Sequence, residues 1–422
     1  MISLDEARAF VLGACGPLPS VRVPLSDALG CVATEGLVAT EPVPPFANTA
    51  VDGFAVRAAD TCGASPASPV RFRVIGTIRA GMAPAFPPGP GDAVRIMTGA
   101  PMPDGADAVV MVEDSAAAGG TDEVDLSAEV AAGAHVRPAG DDLRPGDDVF
   151  PAGDLITAGH LGVLATFGVT EVEVVPRARV GVFSTGDELV EGPQDLLPGQ
   201  IRDSNRRTLL ALVEQAGCTG VDLGRIPDDE AAITDAIERG AATCDALVSS
   251  GGVSMGDFDF VKVVLDRVGD MRWMQVAIKP AKPLAFGTVP GGSSASGSSG
   301  AARRVPVFGL PGNPVSSVGS FELFARPGLR SMMGRAASDL DRPRVRAIVE
   351  EPMHRHRDGK IQFARVVCRT GEDGRFHVWS AGRQGSHHLS ALVGANALAV
   401  LPDGDAVDVG AEVDVLLTDL GA

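Results

Sequence analysis

Val180-Gly181-Val182-Phe183 runs into Ser184-Thr185-Gly186-Asp187-Glu188, an apolar strand pattern ending abruptly in a turn with two hydroxyls, a glycine and two carboxylates. The pattern returns twice. Ala246–Val248 enters Ser249-Ser250-Gly251-Gly252-Val253-Ser254, and Val305–Phe308 enters Leu310-Pro311-Gly312-Asn313-Pro314. Helical patterns at Arg207–Gln215, Ala231–Arg239, Phe258–Val268 and Val315–Ala325 lie between or after these strands. Strands alternating with helices predict a doubly wound parallel sheet. Ligands of such sheets bind beyond the carboxyl ends of the strands, where the three turns fall. One active site is expected there.

Working outward, Ser3-Leu4-Asp5-Glu6 reads as a capping box opening a helix whose apolar face includes Leu4, Ala7, Phe10 and Val11. Residues 46–143 break into short strands such as Val70–Ile75 and Asp107–Val112, predicting a β-rich inserted domain. Segments 1–45 and 144–177, the latter with the apolar run Leu161–Phe167, then form one discontinuous N-terminal domain. The α/β unit spans 178–335. Within it, Gly291–Gly300 (GGSSASGSSG) reads as a flexible insertion at the tip of a hairpin or strand connection. Beyond Pro343, Val345–Val349, Ile361–Val367, Phe376–Val378, Ala397–Leu401 and Glu412–Leu417 predict a small antiparallel, barrel-like β domain over 340–422.

A chain of 422 residues predicts two to four domains. With no Tyr and two Trp, its cores must rest on Val, Leu, Ala and Ile. A net charge of −18 argues against a nucleic-acid partner, because phosphate contacts need clustered Lys and Arg. The six cysteines are scattered, with no CxxC, and read as buried small hydrophobes. Met1–Phe10 lacks a basic and then apolar leader pattern, and no window approaches the ~20 apolar residues of a membrane span. A cytoplasmic protein with no membrane partner is expected.

Each motif has a chemical and a plain reading. Ser184-Thr185-Gly186-Asp187-Glu188 either presents carboxylates for Mg²⁺ beside a phosphate, or is an ordinary polar turn. In Ser250–Asp259 the glycines let backbone N–H groups approach an anion, while Asp257 or Asp259 could serve as an N-cap. Lys279-Pro280-Ala281-Lys282-Pro283 holds two cations on a stiff segment, an oxyanion clamp or a solvated loop. Asp203 and Asn205 in Arg202-Asp203-Ser204-Asn205 either cap the next helix or face ligand. Adjacent His387 and His388 suggest a metal at first sight, but neighbouring side chains on a strand point apart and no closing set accompanies them.

Seven collinear motifs give the chain a family likeness: VDGFA (51–55), RIMTGA (95–100), STGDEL (184–189), SSGGVSMGDFD (249–259), IKPAKP (278–283), LPGNPVS (310–316) and QGSHHLS (384–390). Together they resemble the molybdopterin molybdenumtransferases, the molybdenum insertases, a family that includes the E domain of gephyrin. The resemblance implies insertion of molybdate into adenylylated molybdopterin, with release of AMP and assistance from Mg²⁺. It further implies a homodimer with shared sites, an upstream adenylyltransferase and recipient molybdoenzymes as partners. By the same resemblance Glu188, Asp259, Lys279, Lys282, Asp52 and Asp142 are catalytic, with Glu188 and Asp259 on the metal. Substrate binding falls to Thr98, Ser184, Thr185, Gly186, Asp228, Ser250, Gly251, Gly252, Pro311, Gly312, Asn313, Pro314 and Ser386. Asp228 and Asp229 compete for one family position, and Asp141 and Asp142 for another. A molybdopterin adenylyltransferase and a non-catalytic gephyrin-like scaffold are the alternatives.

Overall fold

A computed structural model of the chain describes residues 1–118, 122–251, 260–291 and 303–418. It divides into two compact units: Met1–Thr34 with Leu155–Thr157 and Glu171–Ala422, and Glu35–Asp154 with Ala158–Thr170.

The first unit is built on a six-stranded sheet in the order Thr219–Ile226, Arg179–Thr185, Ala246–Ser250, Arg304–Leu310, Pro283–Pro290, Asp270–Gln275. Alternate residues feed opposite cores, as the period of a strand requires. Val180, Val182, Val248 and Phe308 pack with Leu209 and Val213 of helix Asn205–Gln215 and Ala7 and Val11 of helix Leu4–Ala14. Phe183, Leu247, Val305 and Val307 pack on the other face with Ile233 and Ile237 of Glu230–Thr243 and Val264 of Phe260–Val268. The doubly wound expectation holds, and Ser3 Oγ caps the first helix by accepting the Glu6 N–H at 3.1 Å.

Two local differences have physical causes. The first four strands are parallel, but Pro283–Pro290 runs antiparallel to both its neighbours. Its last residue, Pro290, pairs with the first of Arg304–Leu310, and two strands joined at paired ends run antiparallel. Pro290 lies opposite Arg304, so Gly291–Gly300 falls in this hairpin connection; beyond Gly291 the segment lies outside the described residues. The expected helix Val315–Ala325 is also longer. Helix Pro314–Ser320 passes through a π turn at Phe321–Ala325 into helix Arg326–Met332. Pro327 has no N–H to give the Leu323 carbonyl, which instead accepts Arg8 Nη1 at 2.7 Å.

The C-terminal strands close into a five-stranded barrel in the order Ile361–Thr370, Phe376–Ser380, Arg344–Val349, Glu412–Leu417, Ala397–Leu401 and back to the first. Val349, Val366, Val378, Ala399 and Val415 fill it. One pairing, Arg344–Val349 with Phe376–Ser380, is parallel, so the barrel is not purely antiparallel as expected.

The second unit carries its own six-stranded sheet, in which Gly53–Val56 lies between Ala108–Met111 and Asp92–Ile96. Phe54, Phe72, Val110 and Leu126 pack on one side of it, and Ile78, Val94 and Ile96 on the other. The apolar run Leu161–Phe167 forms most of a helix, Ala158–Thr166.

Candidate functional site

Ser184, Ser250 and Leu310 stand level with one another at the carboxyl ends of three adjacent parallel strands. The three glycine turns therefore leave the sheet side by side. Gly251 adopts φ +93°, and a Cβ there would lie 3.1 Å from the Thr185 carbonyl and 3.2 Å from its hydroxyl. Only glycine allows that approach. A Cβ on Gly312 would meet the Gly251 backbone at 3.8 Å. Between the turns lies a cleft of about 280 Å³ lined by Ser184, Thr185, Glu188, Asp203, Asn205, Ser250, Gly251, Gly312, Asn313, Pro314 and His387, among others.

A buried network forms one wall. Ser184 Oγ donates to Asp203 Oδ2 at 2.5 Å. Asp203, its side chain 1% exposed, also accepts Arg206 Nε at 3.0 Å and the Arg206 N–H at 3.2 Å. Arg206 in turn pairs with Asp222 and Glu191. Burial works to raise the Asp222 carboxyl, but hydrogen bonds from Arg206 and the Gly224 N–H, with the charges of Arg206 and Arg207, leave it below the ordinary range. Asn205 reaches across the strand ends, donating Nδ2 to Ser250 Oγ at 2.8 Å and to the Gly312 carbonyl at 2.7 Å. Asp203 thus takes an N–H from the first turn of the helix, and both it and Asn205 line the cleft.

Other expected residues are distributed around the cleft. Glu188 is exposed on its lining. Asp228 and Asp187 each accept the other's backbone N–H, at 3.4 and 3.2 Å, while Asp229 caps helix Glu230–Thr243 through Ala232 N at 2.9 Å. Pro311 is buried behind the third turn. The Ser386 carbonyl accepts the Val315 N–H at 3.1 Å, which sets the Gly385–Ser390 segment against the start of helix Pro314–Ser320. His387 and His388 stand 4.0 Å apart, centroid to centroid, in a turn rather than a strand. Burial, then the neighbouring His387 and Arg383 charges, lower the His388 pKa. Lys279 and Lys282 are exposed and do not line this cleft; Lys279 lies opposite Gln362 of the barrel and helps hold Asp358 in its charged form. Gly252 and Asp259 lie outside the described residues.

The second unit brings two expected residues together by itself. Asp52 accepts the Thr98 N–H at 2.7 Å and its hydroxyl at 2.8 Å. The Thr98 N–H, then the hydroxyl, hold the Asp52 carboxyl below its ordinary range. Asp141 and Asp142 line a cleft of about 420 Å³ with Val43, Pro44, Asn48 and Arg137.

One residue escaped sequence reading. Arg365, 1% exposed, donates Nη2 to the Arg383 and Gly385 carbonyls at 2.6 and 3.3 Å, while Nε and Nη1 have no partner among the described residues. It thereby holds the turn that carries Ser386. The available signal was an arginine in the middle of the largely apolar strand Ile361–Val367.

Comparisons with known proteins match the chain in three regions. It matches the model of the MoeA N-terminal region (domain I and II) over residues 2–168. Residues 181–331 match a probable molybdopterin binding domain, and 346–418 the MoeA C-terminal region (domain IV). It is 39% identical over 429 residues to molybdopterin molybdenumtransferase 2 of Mycobacterium tuberculosis, covering 100% of both chains. Identity to the molybdopterin molybdenumtransferase of Haemophilus influenzae is 34%, over 95% of this chain and 94% of that one. A solved molybdopterin biosynthesis MoeA protein from Pyrococcus horikosii superposes with a TM-score of 0.74 at 30% identity, covering 99% of each chain.

Proposed function

We propose that this chain, which belongs to the molybdopterin molybdenumtransferase family, inserts molybdate into adenylylated molybdopterin and releases AMP. The observation that carries this reading is the side-by-side exit of the three turns into one cleft, within the region that matches a molybdopterin binding domain. An adenylyltransferase or a non-catalytic scaffold is not favoured, because relatives named as molybdenumtransferases match the chain from end to end.

In this reading the Thr185, Gly251 and Gly312 turns seat the substrate against the strand ends. Lys279 and Lys282, exposed outside the cleft lining, supply cationic hydrogen bonds to oxyanions that extend beyond it, which a chain of charge −18 must provide locally, while Arg365 holds the turn that carries Ser386. The carboxylates fit Mg²⁺. Among the described residues no three potential protein ligands converge, but Mg²⁺ needs only one or two carboxylates, with water and substrate phosphate completing its shell. Glu188 on the cleft lining, with Asp259, would hold it, and its charge would offset the negative charge that develops on the phosphoanhydride. The reading includes a homodimer, in which Asp52, Thr98 and Asp142 act on the partner's substrate, and a cytoplasmic location. Among the described residues no helix is long and apolar enough to cross a membrane.

The test is to supply purified protein with adenylylated molybdopterin, Mg²⁺ and molybdate, and to follow AMP together with reconstitution of a cofactor-free molybdoenzyme. Molybdate-dependent AMP release with reconstitution is expected. Adenylylation of molybdopterin from ATP, with no molybdate-dependent release, would overturn the reading in favour of the adenylyltransferase.

A further inference from the structure

The turn Asp358–Lys360 is held by groups other than its own side chains. The Asp358 N–H donates to Asp403 Oδ1 at 3.1 Å, and the Lys360 carbonyl accepts Arg355 Nη2 at 2.9 Å. Arg355, its side chain 2% exposed, is itself fixed by the Leu401 carbonyl at 2.7 Å and by Asp403 at 2.9 Å. Gly359 supplies a left-handed φ of +72°. The Asp358 and Lys360 side chains meet at 2.7 Å, but a partly exposed pair of this kind adds little stability. The same turn opens strand Ile361–Thr370, which runs beside the lysine segment. Ile361 pairs with Ile278 and Gln362 with Lys279, and the Ile361 N–H donates to the Ala277 carbonyl at 2.9 Å. Paired strands lie about 4.8 Å apart, so Lys279 and Lys360 leave neighbouring backbones. Both bear on one carboxylate. The Lys360 hydrogen bond holds Asp358 below its ordinary range against burial, and the charges of Lys360, Lys279 and Arg355, the last 3.7 Å away, act the same way. Arg357, the other cation of this segment, is taken up by Asp405 at 3.0 Å.

We propose that Lys360 is a further oxyanion-binding cation beside Lys279, and that Asp358 is a built-in counter-ion which the incoming oxyanion displaces from it. The assignment rests on the transferase reading, in which Lys279 and Lys282 hold oxyanions. The Asp358 carboxylate takes the charge of such an anion and the hydrogen bond that Lys360 would give it. Displacing it is an even exchange for a singly charged anion, which gains nothing. Molybdate, doubly charged, gains by one charge. The pair therefore sets which anions the lysines accept.

The experiment measures binding of molybdate alone, and of the singly charged tetrahedral perrhenate, to the full chain by titration calorimetry, without turnover. Lys360→Ala should weaken molybdate about tenfold, the low end for a charged hydrogen bond, and Lys360→Arg should stay near wild type. Asp358→Asn keeps the shape and removes the competitor. It should tighten molybdate about fivefold, the effect of one unit charge at ~4 Å in water, and let perrhenate bind where the wild type does not. A purely structural pair would do neither, because its loss would lower the unfolding midpoint and leave both anions alone. If Lys360→Ala does not fold, Lys360→Gln keeps the stem and should weaken molybdate as much. Unchanged binding in the folded variants, changes of the same sign at Asp358 and Lys360, or no molybdate binding by any form of the chain each overturns the proposal. So does perrhenate binding the wild type as tightly as molybdate. Opposite changes at the two residues without molybdate-dependent AMP release would instead leave this assignment standing and remove the insertase reading.

Discussion

The two units each contain a hydroxyl bonded to an aspartate, and they treat the pair differently. In the first, Ser184 and Asp203 meet at 2.5 Å, with Ser184 and the Asp203 side chain each 1% exposed and Arg206 on the far side. In the second, Thr98 and Asp52 meet at 2.8 Å on an exposed turn, where a backbone N–H adds the second bond. Burial makes the first carboxylate part of the framework, since removing a buried partner strands the groups that faced it. Exposure leaves the second open to water, so losing it strands no buried group. Similar chemistry is locked into the framework in one place and left in solvent in the other.

The sharpest way to break this contrast is to delete both carboxylates in turn. Asp203→Ala leaves Ser184 without its acceptor and Arg206 short of one charge, which typically costs about 3 kcal/mol. Both tryptophans, Trp273 and Trp379, lie in the first unit, so intrinsic fluorescence reports on that unit alone. A clear drop in its denaturation midpoint is expected for Asp203→Ala. Asp52→Ala should lower the midpoint of the second unit, followed by circular dichroism, far less than Asp203→Ala lowers that of the first, while abolishing turnover. Equal stability losses in the two variants would dissolve the comparison.

The glycines beside the two pairs sharpen it. Gly251 and Gly99 both have positive φ, +93° and +78°. A Cβ at Gly251 meets Thr185 backbone at 3.1 Å, whereas at Gly99 nothing lies within 4 Å. Alanine at Gly99 should therefore cost only the backbone strain, about 1 kcal/mol, and at Gly251 about 2 kcal/mol because the turns must also move apart. Ligand binding in the cleft should weaken for Gly251→Ala and not for Gly99→Ala. Matching losses in stability and binding would show that the close approach of the turns is unimportant.

Sequence carried the local part of this architecture. Ser3 at the first helix, the three strand-to-turn transitions and all five barrel strands follow from capping chemistry and periodicity within a few residues. Strand direction was less accessible. Nothing local in Pro283–Pro290 tells whether it returns beside its neighbour or crosses over it, and the parallel pairing inside the barrel is equally a matter of long-range order. The site divides in the same way. Glu188, Ser250 and Gly312 stand on the motifs themselves, whereas the partnership of Ser184 with Asp203 spans 19 residues and that of Asp52 with Thr98 spans 46. Asp228 and Asp229, adjacent and chemically identical, separate only when one is seen to cap a helix and the other to face Asp187.

The smallest expected effect concerns the charge on Asp52. Its carboxyl lies below the ordinary value of 3.8, first through the Thr98 N–H and then through the Thr98 hydroxyl, with Arg95 adding a little. A depressed carboxyl contributes stability that is present above its unfolded value and is lost as pH falls through its folded one. Around pH 7 the pair is therefore fully formed, and the window in which it fails lies below pH 3.8. Thr98→Val removes the hydroxyl and keeps both the backbone donor and the side-chain shape. The Asp52 midpoint, followed by carboxyl NMR, should rise but stay below that of an ordinary aspartate, because the larger of the two contributions remains. Turnover near pH 7 should then fall through lost orientation rather than lost charge, and its acid limb should move little. A midpoint that does not move would mean that the hydroxyl bond contributes nothing to Asp52. A midpoint that returns fully to the ordinary value would assign the whole effect to the hydroxyl and leave the backbone donor without a role.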